Sequence, residues 1–372
     1  MNAAQSIQNE CFQGDNVVKI LALTRYGQLG ASSRLRFYQC LPALRALGIE
    51  VQLAPLLRDD YLRRFYENRA TDWLALFKDY LSRLFTLLES RRFDLLWIEK
   101  ELFPNLPAWF ESLLAHRGIR YVMDCDDAVF HNYDSAANPL KRSLAGKIDT
   151  VMRHADLVIC GNSYLAERAR SAGARRVEIV PTVIDLERYP AMVPAENDRP
   201  VIGWIGSPST VKYLEIVAAP LKELAAVCPL QLRVVGAQLA WHGLDVVCVP
   251  WTESTEVSEI RKFDIGIMPL ADSPWERGKC GYKLIQYMAC GLPVVASPVG
   301  VNRDIITQGQ NGYLAGSPEE WKSALRSLCA DADARRRMGA RGRQTVEQVY
   351  CLQVTARRLA QLFHECLEQK GE

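Results

Sequence analysis

The chain has 372 residues, 49% of them hydrophobic and 24% charged, an ordinary globular composition that excludes a mainly disordered, collagen-like or coiled-coil protein. Lysine and arginine total 45 against 43 acidic residues, so the net charge of +2 provides no global attraction to nucleic acid, and we expect no nucleic-acid partner. At roughly 100–200 residues per domain, the length predicts about two domains.

The sequence also carries signals about compartment. The 11 cysteines include no CxxC pair and no set at metal-ligand spacing, which indicates reduced thiols. Residues 1–16 are polar and lack the apolar core of a signal peptide, so we expect a flexible N-terminal tail. Since no apolar run reaches the ~18–20 residues that span a bilayer, we expect a cytoplasmic protein.

Short apolar runs alternate with helical patterns through the first half of the chain. The first strand, Val17–Leu23, leads into a loop with Gly27 and Gly30, and a helical pattern then extends to Gly48. Each β-α-β unit implies a parallel sheet with helices on its faces. Further strands are predicted at Ile49–Leu53, Asp94–Ile98, Arg120–Met123, Leu157–Cys160 and Val177–Val180, and helices at Ala108–Leu114, Leu144–Arg153 and Ser163–Ser171.

The alternation restarts after a proline-rich segment. Residues 191–200 lack periodicity and are predicted to be an interdomain linker. Beyond it we predict strands at Val201–Ile205, Gln231–Val235, Val246–Val249, Ile265–Pro269 and Gly291–Ala296, and helices at Tyr213–Val227, Ser254–Phe263, Lys283–Cys290, Glu319–Cys329 and roughly Arg335–Gln369. The fold class is therefore α/β, with two doubly wound, Rossmann-like domains whose ligands lie at the carboxyl ends of the strands.

The loop after the first strand is a candidate ligand contact. Gly27 and Gly30 allow a ligand close to the backbone, and the following helix offers free N–H groups to an anion. A dinucleotide fingerprint needs a third glycine, so an NAD site is not favoured. The alternative is a tight turn in which Ser32 or Ser33 caps the helix.

Three carboxylates, Asp124, Asp126 and Asp127, cluster where the fourth predicted strand ends. Like charges this close need partners or solvent, and a cleft facing a polar ligand supplies both. A metal site is a competing interpretation, because carboxylates are hard oxygen ligands. The third interpretation is that one aspartate caps a helix and another pairs with an arginine.

Three lysines follow strands of the second half. Lys212, with Ser207 and Ser209, comes after Val201–Ile205 and is well placed for a phosphate, although a solvated lysine is the alternative. Lys279 and Lys283 lie four residues apart at the start of a helix, where two cations oppose the helix dipole and each other. Such a conflict is expected at a site that binds a polyanion, for instance a diphosphate.

At this point the sequence resembles a known family. Gln286–Gly300, QYMACGLPVVASPVG, is similar to the EAMACGLPVVAT segment of retaining nucleotide-sugar glycosyltransferases of family 4, which have the GT-B fold. Other segments resemble parts of the same family, namely ADLVICGN at Ala155–Asn162, IVPTVID at Ile179–Asp185, Gly206 with Lys212, and Arg335–Val346 with the helix that follows.

The resemblance implies two domains that face each other across a cleft. Residues 17–190 would bind the acceptor, residues 201–345 would bind the donor, and residues 346–372 would return as a helix to the first domain. No metal or other cofactor is required in that family, because basic side chains and helix N-termini stabilise the leaving diphosphate. The implied activity is hexosyltransferase-like, in the synthesis of cell-surface polysaccharide or glycoconjugate.

The resemblance also assigns roles to residues of this chain. Lys212, Lys279 and Lys283 would neutralise the β-phosphate, and Asp126 or Asp127 would contact the donor sugar or orient the acceptor. Gln286 would hold the ribose, and the backbone near Trp251 would hold the base. The remaining donor-binding candidates are Gly27, Gly30, Ser32, Ser33, Gly206, Ser207, Glu276, Gly281 and Tyr282.

Several positions depart from the family pattern and suggest a divergent subgroup. The usual pair of glutamates, separated by seven residues, corresponds to Gly278 and Gln286, so either Glu276 replaces the first carboxylate in a shifted loop or no carboxylate lies there. The usual arginine after Gly206 is Ser207, and an acid, Asp126, replaces a histidine. Two alternatives therefore stay open, a hydrolysing nucleotide-sugar epimerase of the same fold and a catalytically weak nucleotide-sugar-binding subunit.

Residues 58–92 carry a further pattern, in which aromatic and aliphatic residues alternate with arginines and lysines. The favoured interpretation is a helix packed on the core with a charged outer face. The alternative is a basic amphipathic surface that docks on anionic lipid, a peripheral contact with the inner face of the membrane. The acceptor could accordingly be a sugar, a lipid-linked molecule or another glycoconjugate.

Overall fold

The computed structural model describes residues 17–67, 69–191 and 197–368. The tail predicted at 1–16 and half of the predicted linker lie outside the described residues, as do the last four residues of the chain.

Six parallel strands form the first sheet, in the order β2-β1-β3-β4-β5-β6. Ile20 in β1, the strand next to the edge strand β2, pairs with Val51 on one side and Leu95 on the other. β3, β4 and β5 are buried along their whole length, because helices cover both faces of the sheet. The strands are β1 (Val18–Leu23), β2 (Ile49–Leu53), β3 (Leu95–Glu99), β4 (Tyr121–Cys125), β5 (Leu157–Cys160) and β6 (Val177–Ile179).

The helix Ser163–Ser171 is confirmed as predicted, whereas the first helical pattern of the domain is broken. The pattern up to Gly48 is not one helix but α1, a 3-10 turn at Tyr38–Cys40, and α2. Pro42 explains the break, because proline has no N–H to donate and fits the first turn of a new helix. The helices are α1 (Ala31–Arg36), α2 (Leu41–Ala46), α3 (Asp59–Tyr66), α4 (Trp73–Leu88), α5 (Trp109–His116), α6 (His131–Asp134), α7 (Pro139–Arg142), α8 (Lys147–His154) and α9 (Ser163–Ser171).

Helix α4 agrees with one half of the favoured interpretation of residues 58–92 and contradicts the other. It packs on the core as predicted, through Leu76, Tyr80, Leu84 and Leu87. The prediction of a charged outer face is wrong, because Arg83 is buried and the exposed side chains are largely apolar, namely Trp73, Leu74, Phe77, Leu81, Phe85 and Leu88. Within the described residues, no helix is both long and apolar enough to cross a membrane.

The second sheet also has six parallel strands, in the order β12-β11-β10-β7-β8-β9. They are β7 (Val201–Ile205), β8 (Gln231–Val235), β9 (Asp245–Val249), β10 (Ile265–Met268), β11 (Val294–Ala296) and β12 (Gly312–Leu314). The helices are α10 (Ala218–Ala225), α11 (Glu256–Ile260), α12 (Pro274–Arg277), α13 (Tyr282–Ala289), α14 (Asn302–Ile305), α15 (Pro318–Ala330) and α16 (Ala332–Val349). The helix predicted at Tyr213–Val227 is instead a 3-10 helix, Val211–Val217, that continues into α10.

The C-terminal pattern forms two helices rather than one. α16 packs against α13 in the second domain, and α17 (Leu352–Glu368) follows after a break at Tyr350–Cys351. At the break, Ile184 N donates to Tyr350 O and Leu352 N donates to Ile184 O, at 3.2 and 2.8 Å. α17 then packs into the core of the first domain, where the Phe363 ring centroid lies 5.1 Å from that of Trp97. Two α/β domains with a returning helix confirm the predicted fold class.

Candidate functional site

The loop between β1 and α1 is held by contacts within the first domain. A Cβ on Gly27 would lie 2.3 Å from Asp59 Oδ1, and one on Gly30 would lie 2.4 Å from Tyr26 Cβ, so packing alone requires both glycines. Gly30 is the N-cap of α1 and no side chain caps it, so the alternative with Ser32 or Ser33 as cap is wrong. Ser33 Oγ donates to Glu99 Oε2 at 2.6 Å instead.

Lys100 is the centre of the charged cluster at the ends of β3 and β4. Its Nζ lies 2.8 Å from Asp126 Oδ1 and 3.6 Å from Asp127 Oδ2, and it donates to Ser32 Oγ at 2.9 Å. Ser32 Oγ in turn donates to Asp126 Oδ2. Lys100 is not among the residues predicted from the sequence, although a lysine directly after β3, at the same sheet edge as the aspartates, was a usable signal.

The pKa values of the two aspartates, which share one ammonium group, are shifted in opposite directions. Burial alone would raise the pKa of Asp126, but the charge of Lys100 and the hydrogen bonds from Lys100 and Ser32 bring that pKa below its usual value. Burial and the neighbouring Asp126 charge raise the pKa of Asp127, against the opposing effect of Lys100. Asp127 is also the more exposed of the two, with 33% of its side chain accessible. It is therefore the carboxyl group better suited to exchange a proton with a ligand.

Asp124 does not belong to the cleft, contrary to the sequence-based grouping. Its carboxylate accepts from Arg36 Nε and NH2 at 2.8 and 3.1 Å and is buried. The interpretation in which one aspartate pairs with an arginine thus holds for Asp124. Across the described residues, no group of three His, Cys, Asp or Glu side chains is arranged to hold a metal ion.

Helix α13 begins with an unusual concentration of positive charge. Gly281 is its N-cap, at φ +66°, and no side chain caps the helix. A Cβ at Gly281 would lie 2.4 Å from Ile305 Cδ1, so both the positive φ and the lack of space favour glycine at this position. Burial and the neighbouring Lys279 charge lower the pKa of Lys283 to about 7. The Lys283 Nζ lies 4.9 Å from the centroid of the Trp204 ring.

Lys212 lies at the end of β7 in the first turn of the 3-10 helix. It is exposed, and its Nζ lies 5.3 Å from the centroid of the Tyr213 ring. Gly206 precedes it, and a Cβ there would lie 2.5 Å from the Trp204 ring. The Ser207 Oγ is 2.8 Å from Ser209 Oγ, so this hydroxyl already has a partner. In the described part of the chain, none of Lys212, Lys279 and Lys283 forms a salt bridge.

Glu276 ties α12 to the segment that carries Lys212. Its two carboxylate oxygens accept from Tyr213 Oη and Ser273 Oγ. Burial would raise the pKa of Glu276, but these two hydrogen bonds bring it below the usual value. The carboxylate is therefore charged and close to Lys279, whose charge also lowers its pKa.

Gln286 belongs to a buried hydrogen-bond chain. It is 2% exposed, and its Nε2 donates to Tyr189 Oη at 2.9 Å. Tyr189 Oη donates to Glu256 Oε1 at 2.9 Å, and Trp251 Nε1 donates to Glu256 Oε2 at 2.8 Å. Glu256 also helps to raise the pKa of Tyr282, which burial raises most. Tyr189 and Glu256 were missed, because nothing in the sequence relates them to position 286.

The two domains meet at residues 278–280. A Cβ on Gly278 would lie 2.5 Å from Ala128 Cβ and 2.8 Å from Ala128 N, so the glutamate of the family pattern has no space at this position. Asn162 Nδ2 donates to Lys279 O at 3.0 Å, and Cys280 Sγ donates to Asp126 O at 3.0 Å. These contacts bring Lys279 close to the Asp126–Asp127 cluster, and its charge acts to lower the pKa of Asp127.

A second contact between the domains involves Trp251. The Arg34 guanidinium of α1 lies 5.4 Å from the centroid of the Trp251 ring, and Arg34 Nε lies 3.9 Å from Glu253 Oε1. The two sets of contacts bring residues at the carboxyl ends of both sheets together, with Asp126 of the first domain beside Cys280 and Arg34 beside Trp251 of the second.

Similarity to curated proteins is partial. The chain is 28% identical over 81 residues to spore coat protein SA of Bacillus subtilis, a match that covers 21% of this chain and 22% of that protein. It is 25% identical over 232 residues to D-inositol 3-phosphate glycosyltransferase of Xylanimonas cellulosilytica, which covers 52% of this chain and 54% of that protein. The matches thus span about a fifth and about half of these relatives.

Similarity to solved structures extends over nearly the whole fold. Sucrose-phosphate synthase from Thermosynechococcus elongatus superposes with a TM-score of 0.69 at 15% identity, covering 94% of this chain and 98% of that one. HepE from Anabaena in complex with UDP-glucose gives a TM-score of 0.67 at 16% identity, covering 93% and 99%. At these identities the likeness concerns the fold.

The family follows from two matches along the chain. Residues 18–182 match the family described as glycosyl transferase 4-like domain, and residues 199–331 match glycosyl transferases group 1. Each segment coincides with one of the two parallel sheets. Because the two segments together cover most of the chain and the fold agrees, this protein belongs to the glycosyltransferases of the GT-B fold.

Proposed function

We propose that the protein transfers a sugar, with retention and without a metal ion, from a nucleoside-diphosphate sugar to an acceptor hydroxyl. The observation that carries the proposal is the start of α13, where Lys279 and Lys283 stand without salt bridges at an uncapped helix N-terminus. A diphosphate would satisfy the free N–H groups and both cations at once. UDP and UDP-glucose in the structures of HepE support this class of donor.

The charge that develops in this reaction lies on the leaving diphosphate. Lys279 and Lys283, with Lys212, would stabilise it, which is the largest contribution that a preorganised site makes. Asp127, the more exposed acid opposite them, would contact the donor sugar or orient the acceptor hydroxyl. Gln286 and Trp251, joined through Tyr189 and Glu256, would border the nucleoside, and the loop Gly27–Ser33 would approach from the first domain. The biological setting would be the synthesis of cell-surface polysaccharide or glycoconjugate.

A thermal-shift panel of nucleotides and nucleotide sugars tests the donor site. Ligand at 100 times its dissociation constant should stabilise the protein by about 2.7 kcal/mol. Lys283→Ala should remove the shift, whereas Lys141→Ala, an exposed lysine of α7, should retain it. No shift with any member of the panel would contradict the proposal.

Turnover separates a transferase from a subunit that only binds the donor. A subunit that only binds the donor is a possible interpretation because Gly278 and Gln286 provide no carboxylate where the family pattern has two. Radiolabelled donor and a panel of acceptors should give a glycosylated product, and Lys283→Ala should reduce its rate by about tenfold or more, the loss of one charge-assisted hydrogen bond. A rate within about threefold of wild type would refute the role of Lys283.

A further inference from the structure

The apolar side of α4 forms a continuous exposed stripe. Trp73, Phe77, Leu81, Phe85 and Leu88 recur every three or four residues and therefore share one face of the helix. Their exposed fractions range from 40% to 76%. At about 1.5 Å per residue, the stripe is roughly 22 Å long.

A groove widens this stripe into a surface. It has a volume of about 490 Å³ and lies between α4, α5 and the segment that carries Phe103 and Leu106. Its lining residues are apolar or aromatic, and α5 contributes Phe110 to the lining and carries a second exposed aromatic residue, Trp109, which is 70% exposed. We refer to the stripe and the groove together as the α4–α5 face.

Buried polar contacts hold this face outward. Arg83 NH2 donates to Thr24 O at 2.7 Å and to Ala54 O at 2.8 Å, at the carboxyl ends of β1 and β2. Tyr80 Oη donates to Pro104 O at 2.9 Å. Turning the apolar stripe inward would break all three hydrogen bonds, so the exposure is a stable property of the fold.

We propose that the α4–α5 face docks on the interfacial region of a lipid bilayer that contains anionic lipids. Two tryptophans, Trp73 and Trp109, are more than two-thirds exposed, and tryptophan is the side chain that prefers the boundary between headgroups and acyl chains. A single exposed apolar face on a helix too short to span the bilayer is typical of such docking.

Charge around the face agrees with an anionic surface. Between residues 58 and 92, apart from the buried Arg83, seven residues are basic and six are acidic. Lys78 and Arg91 are exposed and form no salt bridge in the part of the chain that the structure describes. The ion pairs of Arg63 and Arg92 are solvent-exposed and therefore weak, so these arginines can exchange carboxylates for lipid phosphates.

The face is also continuous with the cleft. Phe103 in the wall of the groove follows Lys100 by three residues, and Lys147 Nζ bridges Glu101 Oε2 and Phe103 O at 2.5 and 2.6 Å. Docking would therefore place the first-domain side of the cleft beside the membrane, where a lipid-linked acceptor resides. Only this last link rests on the proposed function, because the docking itself follows from the exposed side chains.

Vesicle flotation tests the docking. Wild-type protein should float with vesicles of phosphatidylcholine and phosphatidylglycerol at low salt, and less with phosphatidylcholine alone. The double variant Phe77→Asp, Phe85→Asp should bind at least about tenfold more weakly, because two apolar anchors become charged. Val227→Asp, at a 72% exposed valine of the second domain, is the matched control and should bind like wild type.

Three outcomes would overturn the proposal. They are no flotation of the wild type at low salt, equal binding by the double variant, and a wild-type dimer in sedimentation velocity that the double variant dissociates. The third would mean that a second copy of the chain covers the face. Nucleotide thermal shifts of the double variant should equal those of the wild type, so a failure of docking is distinguishable from a failure of the donor site.

Discussion

Lys283 links the electrostatics of α13 to ligand binding. Its pKa of about 7 in the free protein lies below the usual 10.5, so the neutral form dominates at pH 8. A bound diphosphate would raise this pKa, and binding would then take up a proton. We expect the affinity for a nucleoside-diphosphate sugar to fall by up to about tenfold per pH unit above pH 7.

Calorimetric titration between pH 6.5 and 8.5 would measure this dependence, with Lys283→Met removing it and Lys141→Met retaining it. A pH-independent affinity in the wild type would show that Lys283 does not contact the diphosphate.

Without ligand, the lowered pKa of Lys283 acts against folding. As the pH falls from about 10.5 to 7, Lys283 of the unfolded chain takes up a proton that the native state does not, so the contribution of this group to stability falls.

Gln286 fits its buried site because its side-chain amide can donate a hydrogen bond to the Tyr189 hydroxyl. A carboxylate at this position could not donate to Tyr189 Oη and would face Glu256 across that single hydroxyl. In the variant Gln286→Glu, burial and the Glu256 charge should therefore raise the pKa of the new carboxyl group. Stability would be near wild type at pH 5, where the group is protonated, and would decrease as the pH rises through its raised pKa.

Thermal unfolding at pH 5 and pH 8 measures this effect. We expect the melting temperature of Gln286→Glu to be lower than that of the wild type by a few degrees at pH 8 and to equal it at pH 5. Gln344→Glu, at an exposed glutamine of α16, is the control that should show no such difference. Equal stability of Gln286→Glu and wild type at pH 8 would mean that the site readily accepts the family's usual carboxylate.

Sequence reasoning identified functional residue types more readily than their partners. Asp126, Lys279 and Lys283 could be found because each follows a predicted strand or begins a predicted helix. Lys100 was overlooked although it directly follows β3, whereas Glu256 could not be found, since its role depends on a contact with Tyr189, far away in the chain. Asp124 was misassigned for the same reason, because its partner Arg36 lies 88 residues earlier.

At the scale of elements, the longer strands could be predicted because they are buried on both faces. The shortest strands and helices could not be predicted. Continuous apolar runs such as those of β3 and β7 are typical of parallel strands covered by helices. β12 has three residues and α12 has four, too few to show a period. For α4 the period and the packing on the core were correct but the outer face was not, because apolar residues have the same spacing whether they face the core or solvent.

Arg83 decides the direction of α4 and can be tested alone. Burial lowers its pKa to about 10, yet its guanidinium satisfies the carbonyl groups of Thr24 and Ala54. Arg83→Met should leave both carbonyls unsatisfied and reduce the free energy of unfolding by about 2–4 kcal/mol. Hydrogen exchange in α4 should accelerate along with it, whereas Arg91→Met, at an exposed arginine, should change neither quantity. Unchanged exchange in the first variant would contradict this role of Arg83.

At the scale of the whole molecule, the last helix of the chain packs on the first domain rather than on the second domain that precedes it. α16 completes the second domain, and α17 then crosses back to cover the first sheet beside Phe37 and Trp97. Arg176 and Arg358 reinforce the crossing through Glu178 and Glu365. The core of the first domain is thus completed by residues that follow the second domain in the chain. The periodicity of the sequence could not indicate this, because a helical period contains no information about which sheet the helix covers.

Phe363 tests this dependence. The side chain is fully buried against Trp97, although it follows the second domain in the chain. Phe363→Ala should therefore destabilise the first domain by about 3–5 kcal/mol, the usual cost of removing a buried phenylalanine. Urea unfolding followed by hydrogen exchange should show the loss in β1 and β3, and Val354→Ala, at a half-exposed site of the same helix, should have little effect. If protection were lost in β7 and β10 while β1 and β3 were unaffected, α17 would stabilise the second domain rather than the first.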